Sequence, residues 1–383
     1  MVSKDSAEIR HYFDWAATAV PDPPVAQTVP FGNPSSLHSE GRAARDALEE
    51  ARSRCAAVLG VPSRALYFTS GGTESNCIAI HSNLFRRGNG RVIVSDAEHS
   101  SVRENVETLE RLGKPTGRLP VDSSGRVSPE LLTKTFDKYG DVRFAAIMAL
   151  NNEIGVINDM YALRDVMRKQ SVPPHFHCDL VQAAGKIPLD INGWDLDSAS
   201  LSAHKIGGPR GIGLLYLRRP LETLYTGGGQ ERKIRPGTEN TAGAAALAAC
   251  LENHAATEKV KNEYALARRR AKRLATGLKT FDRCVFIPRN RDIDDESFSP
   301  YILQAAFRDI PGEVMVRALD DLGFAVSTGS ACSSSSPDRP VLAAMGIEES
   351  LSLEGIRISQ GWSTTDEEID LLLAAIAEVL KFL

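Results

Sequence analysis

The chain lacks a long apolar run, an apolar leader and a strong charge of either sign. No stretch approaches the roughly 18 uninterrupted apolar residues that a membrane span needs, and the polar start MVSKDSAEIR lacks the apolar core of a signal peptide. Lysine and arginine together number 45 against 49 aspartates and glutamates, a formal charge of −4. This balance gives no reason to expect a nucleic acid or an anionic membrane as a partner.

Paired cysteines are also missing, because the six cysteines are scattered and none forms a Cys-X-X-Cys motif. Without a secretory leader, that distribution predicts free thiols and a cytoplasmic protein. Cys332 is flanked by glycine, serine and alanine inside the run 327–340, which predicts a mobile loop. The other five are expected to be small buried apolar side chains: Cys55, Cys77, Cys178, Cys250 and Cys284.

From about residue 42 to 217, short apolar runs alternate with helical patterns. Strands that alternate with helices predict an α/β fold, in which a mostly parallel sheet is covered by helices on both faces. The predicted strands are residues 65–69, 91–95, 143–150, 175–179, 198–202 and 213–217. The predicted helices are residues 41–59, 73–87, 100–112 and 159–170.

A chain of 383 residues is too long for one ordinary core, so two domains are expected. A helical pattern runs from Thr238 to about Leu278, and we place the boundary inside it near residue 250. The remainder predicts a smaller α+β unit, with strands at 285–287, 301–306 and 356–359 and helices at 313–322 and 366–380. The expected large domain is residues 14–250, and the small domain, residues 1–13 and 251–383, carries Cys332 and Arg357.

Lys205 and Asp179 are the chemically most informative pair. An isolated lysine after a strand would be a surface residue, but Asp179 ends an earlier strand, and ligands of parallel sheets bind beyond the carboxyl ends of the strands. Pyridoxal phosphate requires a lysine that forms a Schiff base and an aspartate that keeps the pyridinium nitrogen protonated. Partial burial and the cationic ring would help the lysine to lose its proton.

The turn Gly71-Gly72-Thr73-Glu74 could hold the phosphate. It follows a predicted strand and opens a helix, so that backbone N–H groups and the helix dipole point at an anion. Such a turn alone is most often a plain helix start, and it is not a P-loop because no Lys-Ser/Thr pair follows. Ser202 and His204, beside Lys205, could supply further donors to the phosphate.

Histidines allow two further interpretations. His99 follows the predicted strand 91–95 and could stack on the cofactor ring, although a lone histidine there is more often a structural cap. His175, His177 and Asp179 alternate on one strand face, as ligands of a metal site do. No second ligand cluster accompanies them, so we expect no metal and favour a buried strand that delivers Asp179 to the sheet edge.

With these residues in place, the chain resembles the cysteine desulfurases of the class V aminotransferase superfamily, in particular those that supply iron–sulfur assembly. The resemblance covers nearly the whole chain, and its motifs occur in order. They include Tyr12-Phe13-Asp14, Phe31-Gly32-Asn33-Pro34, Thr69-Ser70-Gly71-Gly72-Thr73-Glu74-Ser75-Asn76, Glu98-His99, Asn151-Asn152-Glu153, Ser202-Ala203-His204-Lys205, Gly229-Gln230-Glu231-Arg232, Arg235-Pro236-Gly237-Thr238 and Gly329-Ser330-Ala331-Cys332-Ser333.

The resemblance implies a fold-type I pyridoxal-phosphate enzyme with a seven-stranded sheet and a smaller α+β C-terminal domain. Lys205 resembles the Schiff-base lysine, Asp179 the partner of the pyridinium nitrogen, and His99 the stacking histidine that also takes part in proton transfer. Gln182 resembles the donor to the ring hydroxyl. Further expected cofactor contacts are Gly72, Thr73, Asn152, Ser202, His204 and, across a dimer interface, Thr238. The expected substrate contacts are Asn33, Asn152 and Arg357, the last as a fork for the α-carboxylate.

Cys332 resembles the nucleophile that accepts sulfur on a flexible loop. The implied reaction converts L-cysteine to L-alanine and leaves a persulfide on Cys332, which a homodimer would deliver to an acceptor such as an iron–sulfur scaffold protein. The chain departs from the family in a short segment between Val25 and Phe31, in Trp15, where a small polar residue is usual, and in stopping at Leu383 without the C-terminal extension of some relatives.

Two alternatives remain open at this point. A selenocysteine lyase or cysteine lyase on the same scaffold would keep Lys205 and Asp179, but it need not use Cys332 as a sulfur acceptor. A sulfur-relay protein without catalysis would lack the cofactor, and the intact set of Lys205, Asp179, His99 and Cys332 argues against it.

Overall fold

The structure is a computed structural model that describes residues 11–20, 29–329 and 339–383. Within these residues no helix is long and apolar enough to cross a membrane. The helices are α1 Ser39–Leu59, α2 Gly72–His81, α3 Ser100–Arg111, α4 Pro129–Tyr139, α5 Met160–Arg168, α6 Thr241–Cys250, α7 Thr257–Leu278, α8 Gly312–Asp321, α9 Pro340–Ala344, α10 Glu349–Leu353 and α11 Asp366–Phe382. The strands are β1 His11–Tyr12, β2 Leu66–Thr69, β3 Arg91–Ser95, β4 Thr116–Leu119, β5 Val142–Ala146, β6 His175–Asp179, β7 Ser198–Ser202, β8 Gly213–Leu217, β9 Cys284–Ile287, β10 Ile302–Phe307, β11 Phe324–Ala325 and β12 Gly355–Ser359.

The chain forms two compact units. The large unit comprises Thr18–Asn151 and Val156–Asn262, apart from the residues outside the described ranges. The small unit comprises the described residues of Met1–Ala17, Asn152–Gly155 and Glu263–Leu383. Most of the long helix α7 therefore belongs to the small unit.

A seven-stranded sheet forms the centre of the large unit, with the strand order β2-β8-β7-β6-β5-β3-β4. β8 is antiparallel to both of its neighbours, and the other pairs are parallel. The strands are largely buried, as expected when helices cover a sheet; α2 packs on β7 and β8, and α3 packs on β3 and β4. The predicted α/β class with a mostly parallel sheet is confirmed.

Helix α2 is shorter than the sequence predicts, and its side chains explain where it ends. Residues 73–87 were expected to be helical, but the α-helix stops at His81 and a single 3₁₀ turn follows. Ser82 Oγ donates to the carbonyl of Ala79, and Asn83 Nδ2 donates to that of Ile80, at 2.7 and 2.8 Å. Side chains that bond the backbone in this way compete with continuation of the helix.

Two elements of the large unit were not predicted, β4 and α4. The strand Thr-Gly-Arg-Leu contains no apolar run, and it lies at the edge of the sheet beside β3. A Cβ added at Gly117 would lie 2.7 Å from the ring of Tyr139, so the strand needs glycine where α4 packs on it. Ser128 caps α4 through the N–H of Leu131, and Pro129 follows in the first turn.

The small unit contains the antiparallel sheet β12-β10-β9, and β1 pairs with β11 in parallel. Thr365 and Glu368 form a capping box that starts α11. The β1–β11 pair was not predicted, since two-residue strands carry no periodicity. The apolar core of the unit includes Phe13, Leu278, Phe307, Met315, Ile356 and Leu372.

The cysteine prediction is partly wrong. All five described cysteines are free thiols, but Cys77 and Cys284 are only half-buried. Cys77 lies on α2 with its Sγ 3.3 Å from Nδ1 of His81, and Cys284 begins strand β9, at the edge of its sheet. Cys332 lies outside the described residues.

Candidate active site

Asp179 ends strand β6 as a buried acceptor of two N–H groups. Its Oδ1 accepts from the N–H of Val181 at 2.9 Å, and its Oδ2 accepts from Nδ2 of Asn76 at 2.8 Å. Only 4% of the residue is exposed. A carboxylate so placed, at the carboxyl end of a parallel strand, can hold a cationic ring nitrogen beside it.

Asn76, on α2, is completely buried, and both terminal atoms of its amide form hydrogen bonds in this site. Besides Asp179, its Nδ2 reaches Ser101 Oγ at 2.9 Å. Its Oδ1 accepts from Ser200 Oγ at 2.6 Å and lies 2.9 Å from Nε2 of His177. In the sequence, Asn76 is the last residue of the motif Thr69–Asn76, and nothing there indicates that its side chain contacts Asp179.

His99 lies at the N-cap of α3, and its ring is held from one side by Ser101. Its Nδ1 accepts from the backbone N–H of Ser101 at 3.1 Å and lies 2.8 Å from the hydroxyl of the same residue. Burial is the main reason that the pKa of His99 lies below its ordinary value; Asp179 opposes the shift and Lys205 adds to it. The imidazole is therefore neutral at pH 7.

Lys205 and His204 follow β7, the neighbour of β6, in a 3₁₀ turn. Lys205 is half-buried. Burial, and then the charge of Lys205, lowers the pKa of His204 to about 4, so that this imidazole is also neutral at pH 7. Its backbone carbonyl accepts from the N–H of Ala19 at 2.9 Å, which anchors the turn.

The start of α2 fits a phosphate group. Gly71 is the N-cap and has no side chain to satisfy the N–H groups of the first turn, which have no acceptor within the helix. A Cβ at Gly72 would lie 2.5 Å from Cγ2 of Val181, and one at Gly71 would lie 3.6 Å from Ser202 Oγ. This glycine cradle, with the exposed Thr73 and the hydroxyl of Ser202 beside it, has the donors that an anion requires.

Three other predicted residues lie in the large unit. Gln182 is buried in the turn after β6, three residues beyond Asp179. Thr238 is exposed and follows Arg235, which pairs with Glu74 of α2 at 3.2 Å and so ties this segment to the phosphate cradle. Asn33 is exposed, and its Oδ1 accepts from the N–H of Ser35 at 2.9 Å, a contact internal to its own turn.

Arg357 and Asn152 lie together in the small unit. The guanidinium of Arg357 donates to Asp14 Oδ1 at 2.8 Å and to the backbone carbonyl of Asn152 at 2.9 Å. Arg357 Nε and Asn152 Oδ1 are buried, and neither has a hydrogen-bond partner among the described residues. Two of the five guanidinium N–H groups are thus engaged, which leaves donors for a carboxylate.

The segment that contains Cys332 lies partly outside the described residues, but both of its ends are held. Ser327 pairs with Arg357 through two backbone hydrogen bonds of 2.5 and 3.2 Å. On the far side, the guanidinium of Arg339 donates to the carbonyl of Thr328 at 2.7 Å. The chain therefore enters and leaves the cysteine segment beside the strand that carries Arg357.

The histidine pair of β6 bonds a serine. His175 Nε2 and His177 Nδ1 each lie 2.7 Å from Ser198 Oγ, and both rings stack on Phe144. Burial lowers the pKa of His177 to about 3. Among residues 11–20, 29–329 and 339–383 no group of three or more histidine, cysteine or acidic side chains is arranged to hold a metal ion.

The chain is similar to a family model, to two named relatives and to a solved structure. The family model described as "Aminotransferase class-V" matches residues 11–372. A "NifS/IcsS protein homolog" of Lactobacillus delbrueckii subsp. bulgaricus is 39% identical over 97% of both chains. "Cysteine desulfurase IscS" of Vibrio cholerae is 36% identical, over 95% of this chain and 91% of that one. A solved "NIFS-LIKE PROTEIN" superposes with a TM-score of 0.89 at 33% identity, over 98% of this chain and all of its own.

Proposed function

Because this chain belongs to the class-V aminotransferase family, we propose that it is a pyridoxal-phosphate-dependent cysteine desulfurase whose sulfur acceptor is Cys332. The observation that carries the proposal is the placement of Asp179 and Lys205 after the neighbouring strands β6 and β7, with the glycine cradle of α2 in the same unit. The relative from Vibrio cholerae is named a cysteine desulfurase, which supports L-cysteine as the substrate.

The reaction balances without an added oxidant. L-cysteine and the Cys332 thiol give L-alanine and a Cys332 persulfide. The C–S bond of the substrate breaks and an S–S bond to Cys332 forms, so that the substrate sulfur is oxidised and the substrate Cβ is reduced. The Cys332 thiolate is the nucleophile, and the two protons needed at Cβ and on the persulfide come from the two starting thiols.

Lys205 and Asp179 perform the proton chemistry at Cα. The pyridinium ring of the cofactor supplies an electron sink for the pair released when Cα loses its proton. Lys205, as the neutral amine, would take that proton, and Asp179 would hold the proton on the ring nitrogen. With the cofactor bound, the cradle of Gly72 and Thr73, with Ser202 and His204, would hold the phosphate, and Gln182 would donate to the ring hydroxyl.

Arg357 and Asn152 orient the substrate. Asp14 and the Asn152 carbonyl each accept from one N–H of the Arg357 guanidinium, and the remaining N–H groups bind the α-carboxylate. The amide oxygen of Asn152, a buried acceptor without a partner among the described residues, accepts from the substrate amino group. Asn33 is the third substrate contact that we propose. Ser327 pairs with Arg357, and Arg339 contacts Thr328, which supports a role for the cysteine segment in the reaction at this anchor.

The persulfide requires an acceptor. We infer a protein thiol or an iron–sulfur scaffold as the partner, a homodimer in which Thr238 completes the phosphate site of the other subunit, and a cytoplasmic location in keeping with free thiols. The exposure of Thr238 in the single chain supports its placement at an interface between copies.

A turnover assay tests the proposal. Purified wild type and Cys332→Ser receive L-cysteine and dithiothreitol, and alanine and sulfide are measured together. Equal yields of alanine and sulfide from the wild type, and neither from the variant, support the proposal. Pyruvate from the wild type, or an unimpaired variant, would assign the chain to the lyases instead.

A further inference from the structure

We propose that Asn76 is a positioning residue that joins Asp179, Ser101 and His177 in one directed hydrogen-bond network, in which Ser101 keeps the ring proton of His99 on Nε2. The inference rests on the proposed function for its catalytic meaning. Its geometry stands apart from that function, because every contact lies among described residues of the large unit.

The direction of the network begins at the Asp179 carboxylate. A carboxylate only accepts hydrogen bonds, so the Asn76 atom that lies 2.8 Å from Oδ2 must be the amide nitrogen. The opposite orientation would place two oxygens against each other in a buried site. This argument assigns the amide from its partners, as is needed for asparagine, whose two terminal atoms have almost the same shape.

The second amide proton extends the network to His99. It donates to Ser101 Oγ at 2.9 Å, so the hydroxyl proton of Ser101 is free to point elsewhere. Nδ1 of His99 lies 2.8 Å away and already accepts from the Ser101 N–H, so it carries a lone pair and not a proton. Both Ser101 donors therefore face Nδ1, and the neutral ring carries its proton on Nε2.

The amide oxygen of Asn76 determines the direction of the hydrogen bonds that lead to His177 and His175. It accepts from Ser200 at 2.6 Å and lies 2.9 Å from His177 Nε2, which must then be a donor. His177 is completely buried and neutral, so its Nδ1 accepts the Ser198 hydroxyl proton. His175 Nε2, 2.7 Å from the same oxygen, is left as a donor. Through Asn76, Asp179 thus sets the tautomers of His177 and His175, while the backbone N–H of Ser101 sets the same tautomer in His99.

The consequence for the reaction concerns the direction of proton transfer. A neutral His99 with Nδ1 occupied by Ser101 has no free lone pair to accept a proton, and it presents only the Nε2 proton. His99 therefore donates a hydrogen bond or a proton to the bound ligands, while acceptance of the Cα proton falls to Lys205. The charged or titratable groups that act on the ring are Asp179, Lys205, Arg103, Glu104 and His204.

The test measures tautomers directly in the full-length protein, purified with its cofactor. The histidine ring nitrogens are labelled with ¹⁵N, and the signals are assigned with single His→Gln variants. We expect protonated Nε2 and unprotonated Nδ1 for His99, His175 and His177 at pH 7.5. A wild-type His99 that carries its proton on Nδ1 would overturn the proposal whatever the desulfurase assay shows.

Two variants distinguish a positioning role of Asn76 from a general effect on the stability of the fold. Asn76→Ala should mix the tautomers of His177, whose Nε2 loses its acceptor, and weaken cofactor binding at least about tenfold, the loss expected for one hydrogen bond to a charged group. Asn83→Ala is the matched control, because Asn83, in the turn after α2, is also buried but its described hydrogen bond goes to the carbonyl of Ile80. An Asn76→Ala variant with the tautomers and cofactor affinity of the control would overturn the proposal.

Two further variants keep the test decisive where Asn76→Ala fails to fold. Asn76→Asp has the same shape but sets an oxygen against Asp179, so cofactor affinity should fall at pH 8 and recover towards pH 6, as a proton shared by the two carboxyls restores the donor. Ser101→Ala removes the hydroxyl contact with His99 but keeps the backbone N–H that donates to Nδ1, so His99 should keep its proton on Nε2 and cofactor affinity should lack this pH dependence. Affinity of Asn76→Asp that does not change with pH would contradict the proposal.

Discussion

Asp14 and Arg357 form an ion pair between the start of the small unit and strand β12, with a distance of 2.8 Å between Oδ1 and Nη2. The arginine side chain is 1% exposed and that of the aspartate 21%. Asp14 and the Asn152 carbonyl together fix the plane of the guanidinium, and the buried Nε keeps a donor without a partner among the described residues. The proposed carboxylate anchor is thus oriented before a substrate binds.

Arg357→Lys tests this anchor. Lysine keeps the charge but loses the fork, so kcat/KM for L-cysteine should fall about 100-fold, roughly 3 kcal/mol, with most of the change in KM. Arg291→Lys is the control, because Arg291 is also buried in the small unit but donates only to backbone carbonyls. The control should lower stability and leave KM unchanged. Equal KM values for the two variants would refute the anchor.

Asp179→Asn tests the charge at the end of β6. Asparagine can accept from Val181 or Asn76, but it cannot stabilise a cationic ring nitrogen. We expect kcat to fall at least about 100-fold, as when one preorganised electrostatic contact is removed. Asp190→Asn, at an exposed turn beside Tyr161, is the control and should retain wild-type kcat. A kcat of Asp179→Asn within a few-fold of the control would contradict the assigned role.

Much of the sheet was predictable, because its periodicity is local. The strands Arg91–Ser95, His175–Asp179, Ser198–Ser202 and Gly213–Leu217 occur where the apolar runs predict them. Strand β4 was not predicted because Thr-Gly-Arg-Leu has no such run. Helix α2 was predicted too long because periodicity does not reveal the hydrogen bonds from the side chains of Ser82 and Asn83 to backbone carbonyls.

The site was predictable only in its residue types. The motifs indicated Lys205, Asp179 and His99, but contacts that join distant parts of the chain carry no local signal. Asp14 and Arg357 are 343 positions apart, and Asn76 and Asp179 are 103 positions apart. The network of Asn76 and the orientation of Arg357 therefore became visible only in the folded chain.

A buried ion pair supports the segment that leads to Thr238. Arg52 and Glu231 side chains are each 2% exposed and make two hydrogen bonds of 2.8 Å, while the N–H of Phe68 also donates to Glu231. Glu231, Arg232 and Lys233 all have positive φ, a strained conformation for residues other than glycine. The pair thus holds a strained turn in place.

Glu231→Gln should therefore lower the free energy of unfolding by about 2–3 kcal/mol, because it leaves the buried Arg52 charge with the half-exposed Glu49 as its only carboxylate partner among the described residues. Urea unfolding measures the change. Glu107→Gln breaks an ion pair with Arg118 whose side chains are 51% and 42% exposed, and it should change stability by about 0.5 kcal/mol or less. Similar effects of the two substitutions would show that the buried pair does not hold the turn.

His177 predicts a pH dependence of stability. Burial lowers its pKa to about 3 in the folded chain, whereas an unfolded histidine titrates near 6.5, so the unfolded state binds the proton first as the pH falls. The free energy of unfolding should therefore decrease below about pH 6.5, by roughly 1 kcal/mol per pH unit from this residue.

His177→Gln removes this contribution while keeping a donor for Asn76. Urea unfolding at pH 7.5, 6 and 5 should show a flatter acid slope for this variant than for the wild type. His38→Gln is the control, because the His38 side chain is 63% exposed and the substitution should leave the slope unchanged. An unchanged slope in His177→Gln would contradict the buried, neutral state of this ring.

A single turnover without reductant tests the central claim most directly. Wild-type protein with its cofactor is mixed with L-cysteine labelled with ³⁴S, and peptides are analysed by mass spectrometry while alanine is measured in the same sample. The account predicts one labelled sulfur atom on the peptide that contains Cys332, in an amount equal to the alanine formed. Alanine without labelled sulfur on Cys332, or the label on another cysteine, would contradict the account.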